Sequence, residues 1–209
     1  STGPTGPTGP VPGKVEGTNF TDSLLVGHST TGTLNAAQDN TGVGIDALDA
    51  LTSGDNNTAV GSGAGSAVAS GSFNSFVGSL CGNIVTGDSN TGIGYNTLTY
   101  LSSGAANTAI GGVSSTQNGT GSWNTSLGHS SLEGVSSNNH SYNTALGARS
   151  NELITTGGYN VTVGYQSGDN LTTGSGNILI GTADFAAADS ARTFKVVSYD
   201  GSSTTNHII

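Results

Sequence analysis

Nine five-residue blocks, each opening on asparagine and closing on glycine, recur along most of this chain. They are Asn40-Thr-Gly-Val-Gly44, Asn57-Thr-Ala-Val-Gly61, Asn74-Ser-Phe-Val-Gly78, Asn90-Thr-Gly-Ile-Gly94, Asn107-Thr-Ala-Ile-Gly111, Asn124-Thr-Ser-Leu-Gly128, Asn143-Thr-Ala-Leu-Gly147, Asn160-Val-Thr-Val-Gly164 and Asn177-Ile-Leu-Ile-Gly181. A degenerate first copy is Ser23-Leu-Leu-Val-Gly27. The closing glycines are separated by 17, 17, 17, 16, 17, 17, 19, 17 and 17 residues. So strict a period means one small unit copied in tandem, each copy touching mainly its neighbours.

Helical repeats would carry 3.6-residue patterning and an excess of Ala, Leu, Glu and Lys, and neither is present. The block is instead rich in β-branched residues at its second and fourth positions and ends in glycine, the pattern of a short strand running into a turn. A second apolar column follows seven residues after the glycines, at Leu34, Leu51, Val68, Val85, Leu101, Val135, Ile154 and Leu171, with Asn118 the exception. A second set of turn glycines follows at Gly54, Gly71, Gly87, Gly104, Gly121, Gly157 and Gly174. Each coil therefore has two sides and two corners. Coils that cannot bury an apolar side alone stack and share a core, which predicts an all-β parallel solenoid of ten coils of about 17 residues, roughly 50 Å long at strand spacing.

Within that solenoid the Val, Ile or Leu before each glycine is expected to line the interior. The motif Asn can form a ladder of amides or serve as an ordinary left-handed turn residue, and the sequence leaves both open. The column Thr41, Thr58, Ser75, Thr91, Thr108, Thr125 and Thr144, continued by Val161 and Ile178, is expected to be buried in the roll or between chains rather than to meet ice as an exposed hydroxyl face. The two extra residues before Gly147 fall in Ser136-Ser137-Asn138-Asn139-His140-Ser141, expected to bulge outward at a corner.

Three boundaries organise the chain. Residues 1–13 hold Gly3-Pro4-Thr5-Gly6-Pro7-Thr8-Gly9-Pro10-Val11, three triplets in collagen frame that Pro12 breaks. They read as the end of a collagen-like stalk, which implies three chains. Residues 14–185 form the repeat domain. Residues 186–209 depart from the period, and Thr193-Phe-Lys-Val-Val-Ser-Tyr199 alternates like a strand that closes the last coil.

Composition excludes several classes. With 13 acidic residues against 4 Lys+Arg, a net charge of −9 offers no footprint for nucleic acid. No apolar run approaches the ~20 residues of a membrane helix, and no signal peptide opens the chain, so no membrane insertion is expected. The absence of methionine and the start at Ser1 suggest a fragment of a longer polypeptide. No catalytic constellation, metal set or cofactor is expected. His28, His129, His140 and His207 are not at ligand spacing and read as exposed corner residues, and the lone Cys81 reads as a small buried apolar group. Asp55, Asp88 and Asp169 beside turn glycines read as groups bonding their own turn backbone. Gly61-Ser-Gly-Ala-Gly65 lacks the Lys-[Ser/Thr] of a phosphate loop.

The repeated Asn-Thr-Ala-[Val/Ile]-Gly block, from Asn40 to Gly181, resembles the head repeats of trimeric autotransporter adhesins. It resembles still more the coiled repeats of viral and phage tail-fibre proteins, which often follow collagen-like triplets and precede a self-cleaving chaperone domain of the endosialidase type. The resemblance implies left-handed β-rolls packed as a homotrimer, exposed on a virion or, alternatively, on a bacterial cell surface, and engaged in host attachment. It also suggests that the tail 201–209 is what remains after such a chaperone is removed. Candidate ligand residues come from the aromatics. Phe73, Trp123, Tyr142 and Tyr159 stand just before the motif Asn, while Tyr95 and Tyr165 stand just after a motif Gly. These columns otherwise accept polar residues and so are expected to face outward. There they either stack on sugar rings of a host surface glycan or receptor or rivet coils and chains together.

Overall fold

A computed structural model describes residues 14–17, 20–26, 36–135, 138–199 and 204–206. The collagen-like segment 1–13, Leu34, His28 and His207 lie outside the described residues. The chain begins with β1 (Lys14–Gly17), β2 (Phe20–Val26) and β3 (Ala37–Gln38). Nine three-residue strands follow, one per motif: β4 (Thr41–Val43), β5 (Thr58–Val60), β6 (Ser75–Val77), β7 (Thr91–Ile93), β8 (Thr108–Ile110), β9 (Thr125–Leu127), β10 (Thr144–Leu146), β11 (Val161–Val163) and β12 (Ile178–Ile180). The chain closes with β13 (Phe194–Tyr199) and β14 (Thr204–Asn206).

Strands β2, β4 through β12 and β13 pair in parallel, each with the copy one coil away and with like residue opposite like. The described chain is thus an all-β solenoid of about ten coils of about 17 residues. The parallel stack does not stop with the motif copies. Phe194 stands opposite Ile178, and Thr193 occupies the place of a motif Asn, its N–H donating to Asn177 Oδ1 at 2.9 Å. Both edges of the sheet are finished by an antiparallel strand, β1 on β2 and β14 on β13.

Only the strand side of the coil is a sheet. The rest is a spiral of turns held coil to coil by backbone hydrogen bonds such as Leu48 N–H to Ala64 C=O at 3.0 Å and Ser115 N–H to Ser131 C=O at 2.9 Å. In this arc the second and fourth residues after each glycine from Gly44 to Gly164 take left-handed backbone in turn, Asp46 and Leu48, Asn96 and Leu98, Arg149 and Asn151. The third residue, Ala47, Ala64, Cys81, Thr97, Ser114, Ser131, Ser150 or Ser167, is buried between them.

The interior differs from the expectation in its parity. In each strand the middle residue is buried and its two neighbours face out. Val43, Val60, Val77, Ile93, Leu127, Leu146 and Ile180, expected inside, are about two-fifths exposed. The Thr column flanks them on the same outer face. The physical reason is width: an interior bounded by a strand and a tight turn arc has room for Gly42, Ala59, Gly92, Ala109, Ser126 or Ala145, and not for a full aliphatic column. Larger middle residues occur in the first and last copies, at the fully buried Leu25 and Leu179, and once between them, at Phe76. It is fully buried only because Gly65, Gly82 and Gly92 surround it; a Cβ on Gly82 would lie 2.6 Å from Phe76 Cδ1. The second column behaves as expected at Leu51, Val68, Val85, Leu101, Ile154 and Leu171, all fully buried.

The insertion also departs from the expectation. Val135 is 42% exposed, and its place in the column is taken by Asn138, which bridges to Asn118. Two residues on, His140 replaces the second turn glycine and is fully buried, so Asn138 and His140 turn inward while Asn139 between them faces out. Ser136 and Ser137 lie outside the described residues. An extra polar pair is absorbed by recruiting Asn and His into the core, where Asn138 Nδ2 donates to Ile154 C=O at 2.7 Å.

Candidate functional site

The motif asparagines resolve as a ladder. All nine are buried, and each Oδ1 from Asn40 to Asn160 accepts both the backbone N–H and the Nδ2 of the Asn one coil on, as Asn107 does from Asn124 at 3.0 and 2.9 Å. Each Nδ2 also reaches the second corner of its own coil, donating to the carbonyl of Gly54, Gly71, Gly87, Gly104, Gly121, His140, Gly157, Gly174 or Ser190. Where the next coil also brings glycine to this corner, a side chain has no room: a Cβ on Gly54 would stand 2.2 Å from the Gly71 carbonyl oxygen, and only at the insertion and at the last coil do His140 and Ser190 take the place. Buried amides satisfied on every side fix the start of each strand.

The residue just before each Asn is held in the left-handed region by that ladder. It is Asp39, Asn56, Phe73, Ser89, Ala106, Trp123, Tyr142, Tyr159 and Gly176 in succession, and Arg192 continues the column before Thr193, all with φ between 54° and 73°. Its side chain projects outward: Phe73 and Trp123 are 63% exposed and Tyr159 65%. Asn, Asp and Gly accept this conformation cheaply, whereas a bulky ring there costs about 1 kcal/mol. Four aromatic side chains are therefore displayed at a cost in backbone energy. Tyr142 and Tyr159 lie on successive coils with ring centroids 4.6 Å apart and planes 7° from parallel. One coil thus equals one ring thickness. Tyr95 and Tyr165, from the column after the glycine, are also exposed, but across the strand from the first column.

The remaining candidates sort by burial. Cys81 is fully buried, and burial pushes its thiol up to about 12, so it is inert as a nucleophile. His129 is exposed as expected; His140, expected exposed, is buried, with its Nε2 left without a hydrogen-bond partner. The turn carboxylates bond the neighbouring coil rather than their own turn: Asp55 Oδ1 accepts from Gln38 N–H and Asp88 Oδ1 from Ser72 N–H, both at 2.8 Å. Asp169 instead faces Asp184, and its carboxyl is pushed up to about 6 by burial and by the hydrogen bond and charge of Asp184. Among the described residues no three His, Cys, Asp or Glu side chains come together to hold a metal ion.

The chemistry exposed ring faces of this kind can perform is stacking on a flat guest. No protein-family model, curated protein or solved structure matches the chain. Geometry alone therefore carries the functional argument.

Proposed function

We propose that the chain is a non-enzymatic segment of a viral or phage surface fibre that attaches to host cell-surface glycans, with a bacterial trimeric surface adhesin as the related alternative. The observation that carries this reading is the exposed aromatic column held at left-handed backbone, which serves no packing need of the coil interior. Phe73 stands between the exposed Asn56 and Ser89, while Trp123, Tyr142 and Tyr159 follow one another on consecutive coils, ring faces suited to stacking on sugars. Weak contacts repeated along a rod and across three chains would gain strength through avidity.

The fibre is proposed as a homotrimer of left-handed coils behind the collagen-like stalk. What supports association is the outer strand face, where Leu24, Val26, Val43, Val60, Val77, Ile93, Leu127, Leu146, Ile178 and Ile180 make a continuous apolar stripe. Stripes of that kind mark protein interfaces. The test of the attachment reading is a glycan array on the purified protein, followed by Trp123→Ala. Lost glycan binding with unchanged melting supports a binding surface; lost stability makes the ring a rivet and leaves a structural spacer.

A second reading is favoured by one observation: the Thr column stands on the outer face beside the Val/Ile column rather than inside the roll. A flat, regularly spaced face of hydroxyls and methyls is also what an ice-binding solenoid presents. Thermal hysteresis in a monomeric preparation would establish it, and a stable oligomer that hides the face would remove it.

A further inference from the structure

The outward column before the asparagines contains one position whose glycine the fold does not require. At Gly44 or Gly54 an added Cβ would strike the next coil's backbone, but at Gly176 it would meet nothing nearer than Arg192 Cγ at 3.7 Å. Nor does φ demand it: Gly176 has φ 73°, and the two preceding rungs carry Tyr142 and Tyr159 at 62° and 60°. The backbone registers place these residues on consecutive coils, since Tyr159 N–H donates to Ser141 C=O, Gly176 N–H to Gly158 C=O and Arg192 N–H to Ser175 C=O. A ladder of side chains thus lacks one rung, between the ring of Tyr159 and the side chain of Arg192.

The missing rung has a definite size. Tyr142 and Tyr159 fill adjacent rungs with a 4.6 Å centroid separation, so one rung accommodates one ring. From Tyr159 to Arg192 is two rungs, about 9.6 Å, room for one ring-sized guest on the face of Tyr159 when the exposed Arg192 stem, whose Cγ leans to 3.7 Å from the Gly176 Cβ position, swings aside. Its walls are unlike. One is the outer face of Tyr159, which is 65% exposed; the other is Arg192, exposed and, among the described residues, without an ion-pair partner. The floor is Gly176, and Ile178 and Phe194 flank it, 39% and 50% exposed.

Resting on the attachment reading above, we propose that the gap at Gly176 is a subsite for a carboxylated pyranose, an acidic sugar unit of a surface glycan. The C–H face of the ring stacks on Tyr159, the usual mode for an aromatic platform. The carboxylate pairs with the planar fork of Arg192, which matches two oxygens at once. In a chain of net charge −9, an unpaired guanidinium beside an open aromatic face sets this gap apart from the rest of the column and selects an anionic guest over a neutral one.

The test is ligand-observed NMR and calorimetry on the full chain with disaccharides ending in glucuronate, galacturonate or N-acetylneuraminate, each beside its carboxyl-reduced counterpart. At least one acidic ligand is expected to bind about tenfold or more tightly than its reduced form, the worth of one charge-assisted contact. Arg192→Gln should abolish that preference. Gly176→Tyr should continue the stack, leave the chain folded with Tm within a few degrees, and exclude the ligand. Equal binding of acidic and reduced forms, or retained binding in a folded Gly176→Tyr, overturns the proposal. If neutral glycans bind through Trp123 while no acidic one is preferred, the subsite fails and the attachment reading stands. If no glycan binds at all, both fail.

Discussion

Replacing Asn107 by alanine removes one side chain and strips partners from two coils. Its Nδ2 serves Asn90 Oδ1 and the Gly121 carbonyl, and its Oδ1 receives both N–H groups of Asn124. The abandoned groups stay buried, so Asn107→Ala should cost about 2–4 kcal/mol, well beyond the loss of a turn residue, measurable by urea denaturation. A neutral ring in the core makes His140 the matching acid-sensitive point. Burial lowers it to about 4, with the Leu132 backbone acting in the opposite direction, while in the unfolded chain it titrates near 6.5. A base whose folded pKa is depressed binds its proton better unfolded. Stability should therefore be full above pH 6.5 and fall until pH 4, by on the order of 3 kcal/mol. His140→Gln should flatten that slope in Tm measured against pH. Asp169 works with the opposite sign. Raised to about 6 by burial and Asp184, it favours the folded state most below its ordinary value of 3.8 and loses that contribution as pH rises through 6. Asp184→Asn should accordingly raise Tm at pH 7.

At the scale of the coil, volume is traded between strand and turn. Phe76 fills the middle of its strand where the facing turn offers Gly65 and Gly82, whereas Leu48 and Leu98 occupy the same turn column opposite Gly42 and Gly92. Phe76→Ala should cost about 3–5 kcal/mol. Gly82→Leu should be severe alone, because its Cβ would overlap Phe76, yet the double variant should recover about 1–3 kcal/mol of the sum, read from a denaturation cycle. This trade explains what the sequence could and could not say. The period, the strand placement, the corner glycines and the second apolar column were legible because each leaves a repeated residue type. The inward face was not. Val43 and Val60 are the most hydrophobic residues of their blocks, and hydrophobicity points inward unless the interior is known to be narrow. The left-handed alternation at Leu48 and Leu98 carries no signal that a leucine could give, and inward-turning His140 looks like any polar loop residue. Of the candidate site, the outward direction of Phe73, Trp123, Tyr142 and Tyr159 was readable from the polar company in their column. The ring stack of Tyr142 on Tyr159 needed the actual distance.

At the scale of the whole chain, contacts are almost all between successive coils, so the molecule behaves as a one-dimensional stack. Deleting residues 91–107 removes one complete coil and joins Asn90 to Thr108 in register. That variant should keep its β-sheet circular dichroism and lose only a few degrees in Tm. Deleting residues 91–99 instead breaks register and should abolish cooperative melting.

A pile of like rungs has no natural last member. Nothing in the parallel pairing of β4 to β12 says where addition stops; the strands laid backwards at either end, β1 and β14, do. They turn an open-ended template into an object of counted length. Deleting residues 1–17 and 200–209 together should accordingly release head-to-tail growth, seen as filaments whose mass rises with concentration, in place of particles of one size, whereas either deletion alone leaves one end closed.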